Sequence, residues 1–222
     1  MAEDKSRHFY VFPKWTWILR PGIAVAVLGG ALYVSLVVFF GFSPKTTDVG
    51  YAPEQPVPYS HALHVGQLGL DCRYCHNTVE RAAFAAIPPT QTCMNCHSTI
   101  RTQSEKLTPV RSSYATGMPV EWVQVHDLPD YVYFNHSAHV RRGVGCVTCH
   151  GRVDTMEVVY QAQPLSMGWC LNCHRNPERY LRPVEFVTKL DWVPEEDQLA
   201  LGKRLRQTNN INPRTDCYTC HR

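Results

Sequence analysis

The sequence is short of charge: Asp, Glu, Lys and Arg make up 18% of its 222 residues. That is low for a chain whose whole surface faces water. Aliphatic side chains are also scarce outside one place. Hydrophobic residues reach 44%, but a single segment near the amino terminus holds much of that content, and 16 Pro and 13 Gly interrupt the rest. A large aliphatic core is therefore excluded for most of the chain. A strong basic excess is missing too; a formal charge of +3 gives no footing for nucleic acid. Finally, no cysteine is spare. All ten fall in pairs three apart, and a histidine directly follows each pair.

The hydrophobic segment runs from Ile23 to Phe42 without a charge. As a helix it covers roughly 30 Å, the thickness of a bilayer core. No small-x-small cleavage pattern follows, so it reads as an uncleaved signal anchor rather than a signal peptide. Lys5, Arg7, Lys14 and Arg20 precede it and Lys45 alone follows closely. Positive flanks stay inside, which predicts a cytoplasmic amino terminus and an extracytoplasmic remainder. Trp15 and Trp17 suit the inner interface, and His8 falls on the cytoplasmic side. Gly22, Ala26 and Gly30 share one helix face, where small residues let another helix approach. Pro44, Pro53, Pro56 and Pro58 make residues 43–58 an extended linker.

The paired cysteines define five sites: Cys72/Cys75/His76, Cys93/Cys96/His97, Cys146/Cys149/His150, Cys170/Cys173/His174 and Cys217/Cys220/His221. Cys-x-x-Cys-His is the attachment site of c-type haem. Two thiols on one side of a helical turn reach one porphyrin edge, and the next residue swings its imidazole under the iron. Structural zinc would combine the pairs by twos, and five is odd. Redox dithiols call for a βαβ setting, and disulfides give no reason for the histidines. Five haem c groups are expected, with these histidines as proximal iron ligands. Two propionates on each macrocycle would turn the formal charge negative. Arg81, Arg141, Arg142, Arg175, Arg179 and Arg182 lie near the sites and could pair with them.

From Tyr59 the chain repeats. Tyr59-Ser60-His61-Ala62-Leu63-His64-Val65, then the first site, then Pro89 and Cys93-Met94-Asn95-Cys96-His97 make one unit. Phe134-Asn135-His136-Ser137-Ala138-His139-Val140, then the third site, then Pro164 and Cys170-Leu171-Asn172-Cys173-His174 make the other. The fifth site stands outside the repeat. The predicted organisation is a cytoplasmic stretch (1–20), a transmembrane helix (21–42), the linker (43–58), a two-haem unit (59–100), a polar connection (101–130), a second two-haem unit (131–180) and a tail with the fifth haem (181–222).

Five histidines remain on the outer side as distal ligands: His61, His64, His126, His136 and His139. One plausible pairing puts His61 on the first haem, His136 on the third, His64 and His139 on neighbouring haems, and His126 on whichever is left, the fifth among them. Met156 and Met167 are alternative distal ligands; a methionine raises the haem potential. Trp122, Tyr131, Tyr133, Tyr160 and Trp169 are expected to pack against haem faces. Pro194 is expected to open a helix with Glu195, Glu196 and Asp197 in its first turn and Lys203, Arg204 and Arg206 in its last, acting as a spacer.

The two His-x-x-His units resemble class III cytochromes of the c7 and c3 type. They depart from the tetrahaem c3 pattern, because Asn77, Ser98, Gly151, Arg175 and Arg222, not histidine, follow the sites. A longer resemblance rests on the single anchor, the five sites and the runs His126-Asp127-Leu128-Pro129-Asp130-Tyr131-Val132-Tyr133-Phe134-Asn135-His136 and Pro164-Leu165-Ser166-Met167-Gly168-Trp169-Cys170-Leu171-Asn172-Cys173-His174-Arg175. These are similar to the pentahaem cytochrome subunit of alternative complex III. The resemblance implies a quinol-oxidising membrane complex in which an iron–sulfur subunit gives electrons to the haems. A monohaem cytochrome, a soluble carrier or an oxidase receives them, and transmembrane subunits accompany them. The related quinone reductase complex of sulfate reducers has a similar subunit and runs toward quinone reduction.

The expected fold is a membrane-anchored multihaem cytochrome c: one amino-terminal transmembrane helix plus a mostly irregular, short-helix domain built around five haems. The expected function is electron transfer with no active site of its own. The alternatives are a membrane-anchored multihaem quinol dehydrogenase feeding a periplasmic reductase, and a multihaem reductase. Thr78 stands two positions after the first haem histidine, where the quinol dehydrogenase type carries methionine.

Overall fold

A computed structural model describes residues 12–41 and 47–221. Lys5, Arg7 and Lys45 of the orientation argument, together with His8 and Arg222, lie outside the described residues. The chain divides into two units, residues 1–46 and 47–222.

In the first unit a 3-10 turn, Lys14–Ile18, leads into helix α1, Leu19–Gly41. The helix starts slightly earlier than the uncharged run because Pro21 is tolerated in a first turn, where its missing N–H has no partner to lose. Its 23 residues reach about 34 Å, enough for a hydrocarbon core of about 30 Å. Among the described residues it is the one helix long and apolar enough to cross a membrane. Ser35 sits in its midst and satisfies its hydroxyl by donating to Ala31 O at 2.8 Å, the usual solution for a hydroxyl in an apolar helix.

The second unit has only short helices: α2 (Cys72–Cys75), α3 (Thr90–His97), α4 (Thr108–Thr116), α5 (His136–Val140), α6 (Cys146–His150), α7 (Met167–Arg175), α8 (Gln198–Thr208) and α9 (Cys217–Cys220). A π turn covers Ala62–Gln67. Among the described residues pairing between extended segments is limited to two isolated bridges, Val132 with His221 and Val144 with Leu181. Local signals start and stop each helix. Asp71, Asn135, Ser166 and Asp197 are N-caps whose side chains accept backbone N–H groups of the first turn. Gly117 ends α4 with φ 75° and Gly151 ends α6 with φ 68°, conformations that suit glycine.

Buried apolar side chains are few and scattered, as the composition leads one to expect. Leu181 and Val187 are the largest fully buried ones among the described residues. Val79, Val140 and Val187 form one small cluster with Ala85 against it.

Residues 47–58 are tied down by side chains: Gln55 Nε2 donates to Val123 O at 2.8 Å, and Gln161 Nε2 donates to Thr47 O at 2.6 Å. Two segments differ from expectation. The polar connection contains α4, whose Val110 and Ser113 are buried. Arg111 braces its start by donating to Thr102 O and Ser104 O at 3.0 and 2.9 Å. The late helix begins at Gln198, not Pro194, because Asp197 takes the N-cap and accepts from Ala200 N at 2.9 Å. Glu196 lies outside it and pairs with Arg204. α8 is no mere spacer: Leu201 is buried, and Gly202 lies so close to Glu178 O that a side chain could not fit.

Candidate functional site

Each cysteine pair lies on a single helical turn. In α2 the His76 N–H closes the turn on Cys72 O at 2.8 Å, and in α9 the His221 N–H closes on Cys217 O at 2.8 Å. The histidine thus leaves the turn just after both thiols have been set on one side. None of the ten cysteines is in a disulfide.

The histidines share a second feature. His76 Nδ1 donates to Ala86 O at 2.9 Å, His97 Nδ1 to Ile100 O at 3.0 Å, His174 Nδ1 to Arg214 O at 2.7 Å and His221 Nδ1 to Tyr131 O at 3.2 Å. Three of the spare histidines do the same: His64 to Ser60 O, His136 to Ala83 O and His139 to Asn135 O, all at 2.8 Å. A carbonyl can only accept, so Nδ1 carries the proton in all seven. The Nε2 lone pair is left free, which is the tautomer a metal-binding imidazole needs.

The rings also face one another. His64 and His97 have centroids 6.3 Å apart, His136 and His150 6.3 Å, and His139 and His174 6.1 Å. An imidazole nitrogen binds a metal at about 2.0 Å, so two rings facing across one iron have centroids roughly 6 Å apart. His136 and His150 are nearly parallel, 12° apart. Burial favours the neutral, ligating form of four histidines: it holds His61 down to about 4, with His76 and His64 adding to the effect, and His150 down to about 3. His126 and His139 are pushed down for the same first reason.

Three buried side-chain atoms among the described residues have no hydrogen-bond partner: His61 Nδ1, His126 Nε2 and Arg182 Nε. Such orphans are costly and call for a reason. All three belong to residues beside the sites. With the facing rings, the fixed tautomers and the unpaired thiols, they fit a covalently attached haem held between two imidazoles.

Not every candidate is placed as expected. His126 packs edge-on against His150 at 4.4 Å, too close for an iron between them, so the structure brings it to the third site rather than the fifth. His221 has Tyr131 as a ring neighbour at 5.7 Å. Met156 is buried and its Cε lies near Gly151, so it fills the core, whereas Met167 is exposed at the head of α7. Of the candidate arginines, Arg141 donates to Glu80 O, Arg142 to Asn209 O, and Arg182 to Phe186 O and Lys189 O while lying over Trp192. Of the aromatic residues, Tyr133 is exposed and its N–H donates to Cys220 O at 2.8 Å. Sequence reasoning gave no part to Tyr59 and Phe134, which stack on His64 and His139 at 4.4 and 4.5 Å. Their signal was present as the aromatic residue that opens each repeat.

Residues 132–222 match the family described as cytochrome c7 and related cytochrome c. The chain is also 31% identical, over 173 residues, to the multiheme cytochrome c subunit of menaquinone reductase from Nitratidesulfovibrio vulgaris. That alignment covers 67% of this chain and 82% of the relative.

Proposed function

Since the chain belongs to the multihaem c-type cytochromes, we propose that it is a pentahaem electron-transfer subunit of a quinol-linked membrane complex of the alternative complex III type. Haem iron supplies a one-electron couple when bound. The chain's own residues attach it, hold it and exclude competing ligands. Cys72, Cys75, Cys93, Cys96, Cys146, Cys149, Cys170, Cys173, Cys217 and Cys220 form the thioethers. His76, His97, His150, His174 and His221 are the proximal ligands. His61, His64, His136 and His139 are the distal ligands of the four repeat sites, and His126 backs His150.

The observation that carries this reading is the set of three facing imidazole pairs at 6.1–6.3 Å. An iron gripped from both sides has no place for substrate, so the repeat sites conduct and do not catalyse. α1 anchors it in a bacterial inner membrane with the haem domain on the periplasmic side. An iron–sulfur subunit, a monohaem cytochrome and transmembrane subunits are its companions, with a soluble carrier or an oxidase beyond. The relative's name, a menaquinone reductase subunit, favours a second reading in which electrons run toward menaquinone.

The test is purification of the intact complex through a carboxyl-terminal tag, followed by anaerobic addition of a menaquinol analogue. Five covalent haems per chain, co-purifying redox subunits and reduction of the haem bands by the quinol are expected. Haem bands that ignore the quinol would contradict the reading. Bands that change on nitrite or sulfite would make the chain a reductase.

A further inference from the structure

The two repeats touch each other reciprocally, and the reciprocity holds residue by residue. His61 and His136 are equivalent, and so are His76 and His150. In the first unit Ala62 N, just after His61, donates to Met156 O at 3.0 Å, six residues past His150. In the second unit Ser137 N, just after His136, donates to Ala82 O at 3.2 Å, six residues past His76. Four positions further on the match repeats. Gly66 lies against Asp154 O, and the equivalent Arg141 donates through Nε to Glu80 O at 2.7 Å, the position equivalent to Asp154. When residue i meets j and the equivalent of j meets the equivalent of i, the contact is isologous, the mark of a two-fold relation.

On such an axis equivalent residues meet themselves. Cys72 and Cys146, the leading cysteines of the first and third sites, lie against adjacent residues of one segment. The neighbouring residues Val187 and Thr188 touch both: Cys146 N donates to Val187 O at 2.9 Å, and the Cys72 thiol lies 3.9 Å from Thr188 O. The second and fourth sites are each tied to a partner within their own unit. Asn95 Nδ2 donates to Tyr74 OH at 3.1 Å, joining the second site to the first. α5 carries both His136, which faces His150, and His139, which faces His174, joining the third site to the fourth. The fifth site adds to the fourth: His174 Nδ1 donates to Arg214 O at 2.7 Å, three residues before Cys217.

We infer that the two repeats pack head to head about a pseudo-two-fold axis at Cys72 and Cys146, so that the sites run second, first, third, fourth, fifth. This rests on the proposed haem reading, and it makes the order in space differ from the order in sequence. The four repeat sites form a symmetric, undirected core. The fifth site lengthens one end only and gives the row two unlike ends, at Cys93/Cys96 and at Cys217/Cys220, where electron donor and acceptor must meet the chain.

Mapping iron positions in the purified holo-complex, by cryo-electron microscopy or by anomalous scattering at the iron edge, tests this. The expected result is that the first iron has the third as a neighbour, and that the second and fifth are the most distant pair. Neighbouring second and third irons, with the first and third apart, would overturn the head-to-head order while leaving the haem reading intact. Motifs without iron would overturn both.

Discussion

In the first repeat Tyr59 stands edge-on to His61 at 4.7 Å and stacks on His64 at 4.4 Å; in the second, Phe134 stands edge-on to His136 at 4.8 Å and stacks on His139 at 4.5 Å. The ring contacts match, yet the backbones differ. Residues Ala62–Gln67 form a π turn, whereas His136–Val140 is an α-helix capped by Asn135. When ring geometry is kept and backbone geometry is not, the constraint lies at the rings. That is what the proposed cofactor, gripped between imidazoles, would impose. The approaches to the joint differ as well. Gly69 and Gly143 are equivalent and both have positive φ, 70° and 79°. A side chain at Gly69 would meet open space, but one at Gly143 would strike Arg182 O. Asp71 caps α2, whereas the equivalent Gly145 has no cap to offer, because Arg182 occupies the space a side chain would need.

Substitution at the two glycines should break the likeness most. Gly69→Ala strains only the backbone and is expected to cost about 1 kcal/mol. Gly143→Ala adds overpacking against a carbonyl and is expected to cost about 3 kcal/mol. Thermal unfolding of the two holo-variants checks this, and equal losses would remove the asymmetry. The aromatic pair sharpens the likeness instead. Tyr59→Leu and Phe134→Leu each keep apolar volume and lose a ring stack, for about 1.5 kcal/mol. The two losses should agree, and a marked difference between them in the same assay would mean the stacks are not equivalent.

Asp71 gives an effect as small as that of Gly69→Ala. Its carboxylate accepts from Arg73 N and Nε and from Thr188 Oγ1. Asp71→Ala is expected to cost about 1 kcal/mol, a typical N-cap value. The Arg73 guanidinium holds its pKa down to about 2. A depressed acid stabilises the fold above its unfolded pKa of about 3.9. That contribution fades as pH falls toward the folded value. The gap in unfolding temperature between wild type and Asp71→Ala should therefore be full at pH 6 and shrink between pH 4 and 2. A gap that is constant over that range would assign the cap to the backbone turn alone.

Much of this was legible in sequence, for physical reasons. A covalent attachment motif needs fixed residues at fixed spacing, so the five Cys-x-x-Cys-His motifs were plain. Two histidines three apart were expected to serve separate haems; the proposal that His64 and His139 do so is supported by the rings of His97 and His174, 6.3 and 6.1 Å from them. The contacts between repeats were not legible, because they run through carbonyls of Ala82 and Met156, and any residue supplies a carbonyl. α4 was hidden by its length and mixed composition, although Pro109 at its start and Gly117 after its end were available signals. His126 could be counted but not placed. Its position depends on the fold of residues 101–130, which carries no repeat to guide it.

The most direct measurement is low-temperature EPR of the oxidised complex, with His64→Ala and His139→Ala beside the unaltered chain. If facing imidazoles grip one iron, the four repeat sites are low-spin in the unaltered protein. Each substitution then converts one site to high spin while the covalent haem count stays at five. High-spin iron at the repeat sites of the unaltered chain, or spectra that neither substitution changes, would contradict it.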